Sequence, residues 1–434
     1  MGSSLGIHWI HLSMKKLNSF FRIIQYRTYG TVAAMFFMVA TCSFFACSKD
    51  DDAPVIISPY AESRTVMVYM VAENSLSGNA TADVGEMLLG MHNDTLKAGD
   101  RLVIYLDDVR LPRIYVVDKT TKATSLSELE PVLTYKEDVN SSSAQELAKF
   151  VDYAMTYYPA DSYGLVLWSH ASGWTSSTYS GDKNFDSASV RRSFGLDNGQ
   201  NSSSKYVSGH QMNIPDMAAA LQEKALDFIF FDACCMQNIE VAYELRRATK
   251  YIIASPAEIP EPGANYKTMV RAMMREGDYV EQMLSDYYQE YRRSGYGVVI
   301  SAINTEKLDD FATQMRTLVA THKEELMGLN SLSMLNYFWY PNWSSAIPDF
   351  LDMQGVMLNV LDESEYTKWK EGISTMITCW HAGKWYSAYP KKTISIDDAQ
   401  CCGVTMFIPF EKYGSRSFNE DYLNTSWAKA VWKE

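Results

Sequence analysis

From Arg64 onward the chain alternates between two rhythms of apolar and polar positions. Thr65–Met70 (TVMVYM), Arg101–Asp107 (RLVIYLD) and Arg113–Val117 are runs of β-branched and aromatic residues. Tyr163–Trp168 (YGLVLW), Asp227–Asp232 (DFIFFD) and Lys250–Ala254 add three more. These runs are apolar at nearly every position, as expected of strands buried on both faces. Between them, apolar residues recur roughly every 3.6 positions. Ala82–Met91 is one such stretch, and Ser141–Tyr157 is another, with Leu147, Phe150, Val151 and Met155 on one face and Ser141 or Ser142 as cap. Pro215–Leu226, with proline in its first turn, and Gln237–Ala248 are two more. Strands alternating with amphipathic helices predict an α/β fold: a mainly parallel sheet covered by helices on both faces. Beyond residue 265 the pattern gives long helical stretches near 266–293 and 304–327, a strand near Val298–Ile303 and a late apolar strand, Gly403–Pro409 (GVTMFIP). The pattern divides the chain into a leader (1–47), a polar linker (48–63), a core (64–265) and an extension with helices and additional strands (266–434).

The leader changes the expected location. Lys15, Lys16, Arg22 and Arg27 precede an uncharged run from Val32 to Ala46. At about 1.5 Å per residue that run falls short of a bilayer core of roughly 30 Å, so it reads as a signal peptide. It ends at Phe44-Phe45-Ala46-Cys47, which resembles a bacterial lipobox with Cys47 as the acylated residue. Ser48-Lys49-Asp50-Asp51-Asp52 follows and resembles the surface-export signal of Bacteroidetes lipoproteins. The expectation is a protein lipid-anchored in the bacterial envelope, at the outer membrane; the acidic run fits display on the cell exterior and a plain solvated tether alike.

The 434 residues are 47% apolar and 21% charged, a globular composition. The net charge of -13 argues against nucleic acid and leaves the lipid as the only expected membrane contact. After Cys47 the cysteines are Cys234, Cys235, Cys379, Cys401 and Cys402. Two adjacent pairs and a single residue make a poor disulfide framework, and no zinc-type spacing occurs. At least one thiol is therefore expected to be kept for its reactivity.

Two strand ends carry the chemistry. One runs into Ser169-His170-Ala171-Ser172-Gly173-Trp174, the other into Asp232-Ala233-Cys234-Cys235-Met236. Reactive groups in parallel sheets collect at the C-terminal ends of the strands. A thiolate is a nucleophile, a nearby imidazole can stabilise it and protonate a leaving amine, and backbone N–H groups at a strand-to-helix turn can hold an oxyanion. On residue types alone, a cysteine closing an apolar strand fits a small buried hydrophobe equally well.

On these segments the chain resembles the clostripain family of cysteine peptidases, relatives of caspases and gingipains, over roughly residues 64–270. TVMVYMVAENSL (Thr65–Leu76) resembles the family's opening strand and turn, and Asp83–Met87 the helix after it. LVLWSHASGW (Leu165–Trp174) resembles the segment ending in the catalytic histidine, which implies His170. FDACCM (Phe231–Met236) implies Cys234 as nucleophile; Cys235 is the alternative, and strand alternation lets only one of the two adjacent side chains face the site. IASPAEIPEPG (Ile253–Gly263) resembles the cleft-lining segment. The resemblance implies a caspase-like α/β/α sandwich that cleaves protein or peptide substrates with no cofactor needed for the chemistry. It also implies oxyanion donors at the N–H groups of Ala171 and Cys234, and Asp232 as the carboxylate that selects Arg or Lys.

Three departures qualify it. Ala171 stands where the family commonly has glycine; Asn265 stands where relatives often carry an acid, with Glu258 and Glu261 nearby; and calcium, which activates relatives, has no D-x-D-x-D-G loop here, so no metal ligand is assigned. Relatives cut themselves between the two catalytic residues, which makes Lys183, Arg191, Arg192 and Lys205 in the polar stretch 181–208 the candidate self-cleavage sites. The rival expectation is an inactive surface lipoprotein that kept the fold as a binding module.

Overall fold

In the computed structural model the described residues are 63–175, 193–199, 210–337, 349–388, 391–414 and 417–433. The first half comprises β1 (Arg64–Val71), α1 (Ser77–Met91), β2 (Arg101–Asp107), β3 (Arg113–Asp118), β4 (Leu133–Thr134), α2 (Ala144–Tyr157), β5 (Ser162–Trp168), β6 (Phe194–Asp197), β7 (His210–Met212), α3 (Ile214–Leu221), β8 (Leu226–Asp232), α4 (Ile239–Leu245) and β9 (Thr249–Ala254). The second half continues with α5 (Tyr266–Met273), α6 (Tyr279–Tyr291), β10 (Gly297–Asn304), α7 (Leu308–Thr321), α8 (Lys323–Gly328), β11 (Leu351–Asp352), α9 (Met353–Val360), α10 (Glu363–Ser374), β12 (Ile377–Ser387), β13 (Lys392–Ser395), β14 (Thr405–Met406), α11 (Ser417–Asn424) and α12 (Ser426–Val431).

One sheet of ten strands organises the molecule, in the order β13-β12-β10-β9-β8-β5-β1-β2-β3-β4. The five central strands, β9, β8, β5, β1 and β2, are parallel. Antiparallel strands extend the sheet on both sides, and the residues after 265 contribute β10, β12 and β13 to it. Strand β1 explains why the central runs are apolar throughout. Its Met67, Tyr69 and Val71 pack with Phe150 of α2, Leu221 of α3 and Val241 of α4 on one face. Val66, Val68 and Met70 pack with Met87 of α1, Met269 of α5 and Leu284 of α6 on the other. Each such side chain contributes roughly 1.5–3 kcal/mol by leaving water, so both faces stabilise the sheet.

Two local expectations shift. Ser143, not Ser141 or Ser142, caps α2 by accepting the Glu146 N–H at 3.1 Å. Ser141 is already committed, since its N–H and hydroxyl both donate to Asp197 Oδ2, at 2.7 and 3.1 Å. The late strand shrinks to β14, which pairs with β11 rather than with the main sheet. Its backbone is drawn elsewhere: Thr405 N–H donates to Gln237 O at 3.0 Å, and Phe407 N–H to Glu240 Oε1 at 2.8 Å.

Glu240 sits fully buried on α4 with Oε2 unpartnered, and burial pushes its carboxyl up to about 8. The folded state therefore holds a proton that the unfolded chain releases near pH 4.5. The stability tied to that proton is complete below pH 4.5 and is lost as pH rises towards 8. Glu240→Gln keeps an acceptor for Phe407 without a charge. It is expected to raise Tm by roughly 2–5 °C at pH 8 and by less at pH 5, read by thermal unfolding. An equal shift at both pH values would remove titration as the cause.

Candidate active site

Strands β5 and β8 are parallel neighbours, with Trp168 in register with Asp232. His170 and Cys234 each lie two residues beyond those partners, so the chain brings them to the same level past adjacent strand ends, which are spaced roughly 4.8 Å apart. Cys234 is half-buried, and its sulfur accepts the Ile259 N–H at 3.4 Å. A donor so placed stabilises an anionic sulfur more than a neutral thiol. Cys235 is fully buried in the core, at a φ of 59°, and its N–H donates to Ala257 O at 2.9 Å. The two adjacent thiols therefore have different environments, one opening on the strand-end loops and one closed within the core.

His170 is half-buried, with Nε2 2.9 Å from the Ser75 hydroxyl in the turn after β1. Its loop is sewn to both neighbours. Gly195 N–H donates to His170 O at 3.0 Å, and the Ser169 hydroxyl donates to Val71 O at 2.7 Å. Ala171 bridges Phe194, but both bonds of that bridge belong to flanking residues, Gly195 N–H to His170 O and Ser172 N–H to Ser193 O. The ladder thus makes no use of the Ala171 N–H. Nor does Ala171 adopt a positive φ, so alanine there carries no backbone strain. The glycine the turn requires is Gly173, at φ 76°, where a Cβ would come within 2.1 Å of Asn238 Oδ1.

Asp232 is 3% exposed. Its Oδ2 accepts the Ala264 N–H at 3.1 Å and the Tyr266 hydroxyl at 2.8 Å, while Oδ1 has no partner. Gly263, at φ 64°, lies against this carboxylate, and a Cβ there would sit 2.9 Å from Oδ2. Burial pushes Asp232 up to about 6, partly offset by the bonds from Ala264 and Tyr266. Nearby Asp83 receives the Trp168 Nε1–H at 2.7 Å and is pushed up to about 8 by burial and then by Asp232. Among the described residues no Lys or Arg forms an ion pair with either carboxylate. Asn265 donates its amide to Glu290 at 2.9 Å, so α6 supplies an acid beside that position. Glu258 is half-buried and Glu261 exposed. Cys47, Lys183, Arg191, Arg192 and Lys205 lie outside the described residues.

Two features escape sequence reasoning. Ser75 is one, because nothing in AENSL ties that serine to a histidine 95 positions away. The other is a set of carboxylates, Glu73, Asp107 and Asp138, whose oxygens lie within 4.8 Å of one another. Burial, followed by the charges of Asp138 and Asp197, pushes Glu73 up to about 8. Burial likewise pushes Asp107 up to about 8, offset in part by the neighbouring Ser141 hydroxyl.

Comparison with known proteins gives a consistent picture. A family model described as the Clostripain family matches residues 68–433. Clostripain of Hathewaya histolytica is 26% identical over 222 residues, which is 46% of this chain and 40% of that protein, so the match spans less than half of the relative's length. The structure of an inactive zymogen protease from Parabacteroides distasonis superposes with a TM-score of 0.70 at 28% identity, covering 86% of this chain and 99% of that one. A secreted cysteine protease from Bacteroides thetaiotaomicron, in complex with an irreversible peptide inhibitor, gives 0.69 at 26% identity, covering 86% and 100%.

Proposed function

The chain belongs to the clostripain family, and from that premise we propose that it is a cysteine endopeptidase working through His170 and Cys234. The observation that carries the reading is the register of β5 with β8, which brings both residues to one level at the same sheet edge. The burial of Cys235 supports Cys234 as the nucleophile. The thiolate of Cys234 attacks the scissile carbonyl, and the N–H groups of Ala171 and Cys234 hold the developing oxyanion. His170 passes a proton to the leaving amine, giving a thioester, and then takes one from the water that hydrolyses it. The Ser75 hydroxyl at Nε2 orients the imidazole.

Asp232 is the specificity group in this reading. Its unpartnered Oδ1 and the acidic residues around it favour a guanidinium, or an ammonium, in the preceding side chain of the substrate. The peptide inhibitor held by the Bacteroides thetaiotaomicron relative supports a site that accepts peptides. Self-cleavage at Lys183, Arg191, Arg192 or Lys205 would follow from the same preference. Acylation at Cys47 would tether the enzyme to the envelope, exposed at the cell surface, with the chemistry itself needing no cofactor.

Matched fluorogenic peptides ending in Arg, Lys, Ala, Leu and Asp test the proposal on protein beginning after Cys47. Fastest turnover of the Arg peptide is expected. Turnover confined to non-basic peptides would keep the mechanism and discard the role of Asp232. Silence on all five, before and after limited proteolysis, would favour the binding module.

A further inference from the structure

Three thiols that the proposed mechanism leaves unused lie in the second half of the chain. Val299, Leu335, Tyr337, Trp385, Ile396 and Cys401 belong to a small apolar cluster of their own, and Cys379 of β12 packs half-buried against it. Cys402, the next residue, turns to the main core instead, where its thiol donates to Val404 O at 3.7 Å. Only one of the adjacent pair therefore meets Cys379. Both segments are held in place. Cys379 is in register with Ser301 of β10, whose hydroxyl donates to Gly403 O at 2.6 Å. Asp352 accepts the N–H groups of Cys402 and Gly403 at 3.0 and 2.9 Å. Gly403, at φ 74°, lies so close to Cys379 that a Cβ there would come within 2.4 Å of its sulfur.

Tyr337 sets the direction of the bonds. Its hydroxyl donates to Asp352 Oδ2 at 3.0 Å and has no second hydrogen, so the Cys401 thiol, 3.3 Å away, donates to it. The Cys401 sulfur then accepts the Cys379 thiol, and this bond, followed by burial, pushes Cys379 well above the ordinary thiol range. We propose that Cys379 and Cys401 are joined by oxidation into an intramolecular disulfide, with a small disulfide such as oxidised glutathione as the oxidant. Two S–H bonds break and one S–S bond forms; the glutathione disulfide takes the two electrons and both protons and leaves as two thiols. Because the thiols are neutral in the folded state, exchange is slow there, and the bridge is set while the chain folds or opens locally. It closes the excursion through β13 and ties β12, in the main sheet, to the segment that enters β14. That segment adjoins the loop after Cys234: Gln237 donates to Ser301 Oγ at 2.9 Å, and its carbonyl accepts Thr405 N–H at 3.0 Å.

The test uses the chain beginning after Cys47 with Cys234→Ala, which removes the thiol most open to side reactions and makes the result independent of turnover. The protein is held with oxidised glutathione in urea below its unfolding midpoint, where buried thiols open transiently, and is then returned to buffer. Alkylation of the folded protein in denaturant should find the free thiols reduced from four (Cys235, Cys379, Cys401 and Cys402) to two. Peptide mass spectrometry without reductant should find Cys379 linked, with the linkage kept in Cys402→Ala and lost in Cys401→Ala. The oxidised form should melt roughly 3–6 °C above the reduced form, and Cys401→Ala should abolish that difference. Cys379→Ala, at the half-buried position, repeats the control if Cys401→Ala does not fold. Four free thiols after oxidation, a bridge that runs through Cys402, or glutathione attached to Cys379 or Cys401 without a bridge would each overturn the proposal.

Discussion

Cys234→Ala is expected to lower kcat/KM on the best Arg peptide by roughly 10⁴–10⁶-fold, because it removes the sulfur proposed to form the acyl-enzyme. The fold should hardly register the change. Cys234 is half-buried at the strand-end loops, and its sulfur accepts the Ile259 N–H at 3.4 Å, so truncation removes little buried apolar surface. Cys235→Ala makes the opposite case. Its side chain is fully buried among core residues, and truncation should cost about 1 kcal/mol of stability while leaving most of the turnover. Measuring kinetics and thermal unfolding on both variants separates the neighbours. Iodoacetamide near neutral pH gives an independent reading, since the wild type should be modified first at Cys234 and Cys234→Ala should lose that fast phase. Full activity in Cys234→Ala together with its loss in Cys235→Ala would transfer the nucleophile to the second cysteine.

The strands and the two strand-end motifs were legible because their signals are local. Continuous apolar runs such as DFIFFD arise when both faces of a strand are covered, and β8 lies between β5 and β9 with helices on either side. His170 and Cys234 stood out because each follows such a run by two residues. What the sequence concealed depends on partners far along the chain. Ser141 resembles a helix cap until Asp197 takes its N–H and hydroxyl, which leaves Ser143 to cap α2. Gly403–Pro409 has the pattern of a strand, but Gln237 and Glu240 take its backbone N–H groups. Glu73, Asp107, Asp138 and Asp197 come from four separate segments, so no spacing rule connects them. Whether Ala171, standing where the family commonly has glycine, carries strain depends on φ, which sequence does not show; the positive φ falls at Gly173 instead.

Asp232→Asn should have the second-largest effect and should act on selectivity rather than on chemistry. The amide keeps the shape and can still accept from Ala264 N–H and Tyr266 O–H, but it offers a bound guanidinium no charge. Losing one partner of a buried charge pair costs roughly 2–5 kcal/mol, so kcat/KM for the Arg peptide should fall roughly 30- to 5,000-fold. The Leu peptide should change by less than about tenfold, because it never used the charge. The pH dependence gives a sharper test. Asp232 is held near 6, so below that value its carboxyl is neutral and the pocket loses its counter-charge. The ratio of kcat/KM for Arg over Leu cancels any titration of Cys234 and His170, which both peptides share. In the wild type that ratio should fall about tenfold per pH unit below 6, and in Asp232→Asn it should be low and flat. Asp83 cannot replace it at pH 7, because its carboxyl is pushed up to about 8 and stays protonated. A wild-type ratio that is flat from pH 5 to 8, or one that survives Asp232→Asn, would move recognition of the basic side chain to Glu290, the acid beside Asn265.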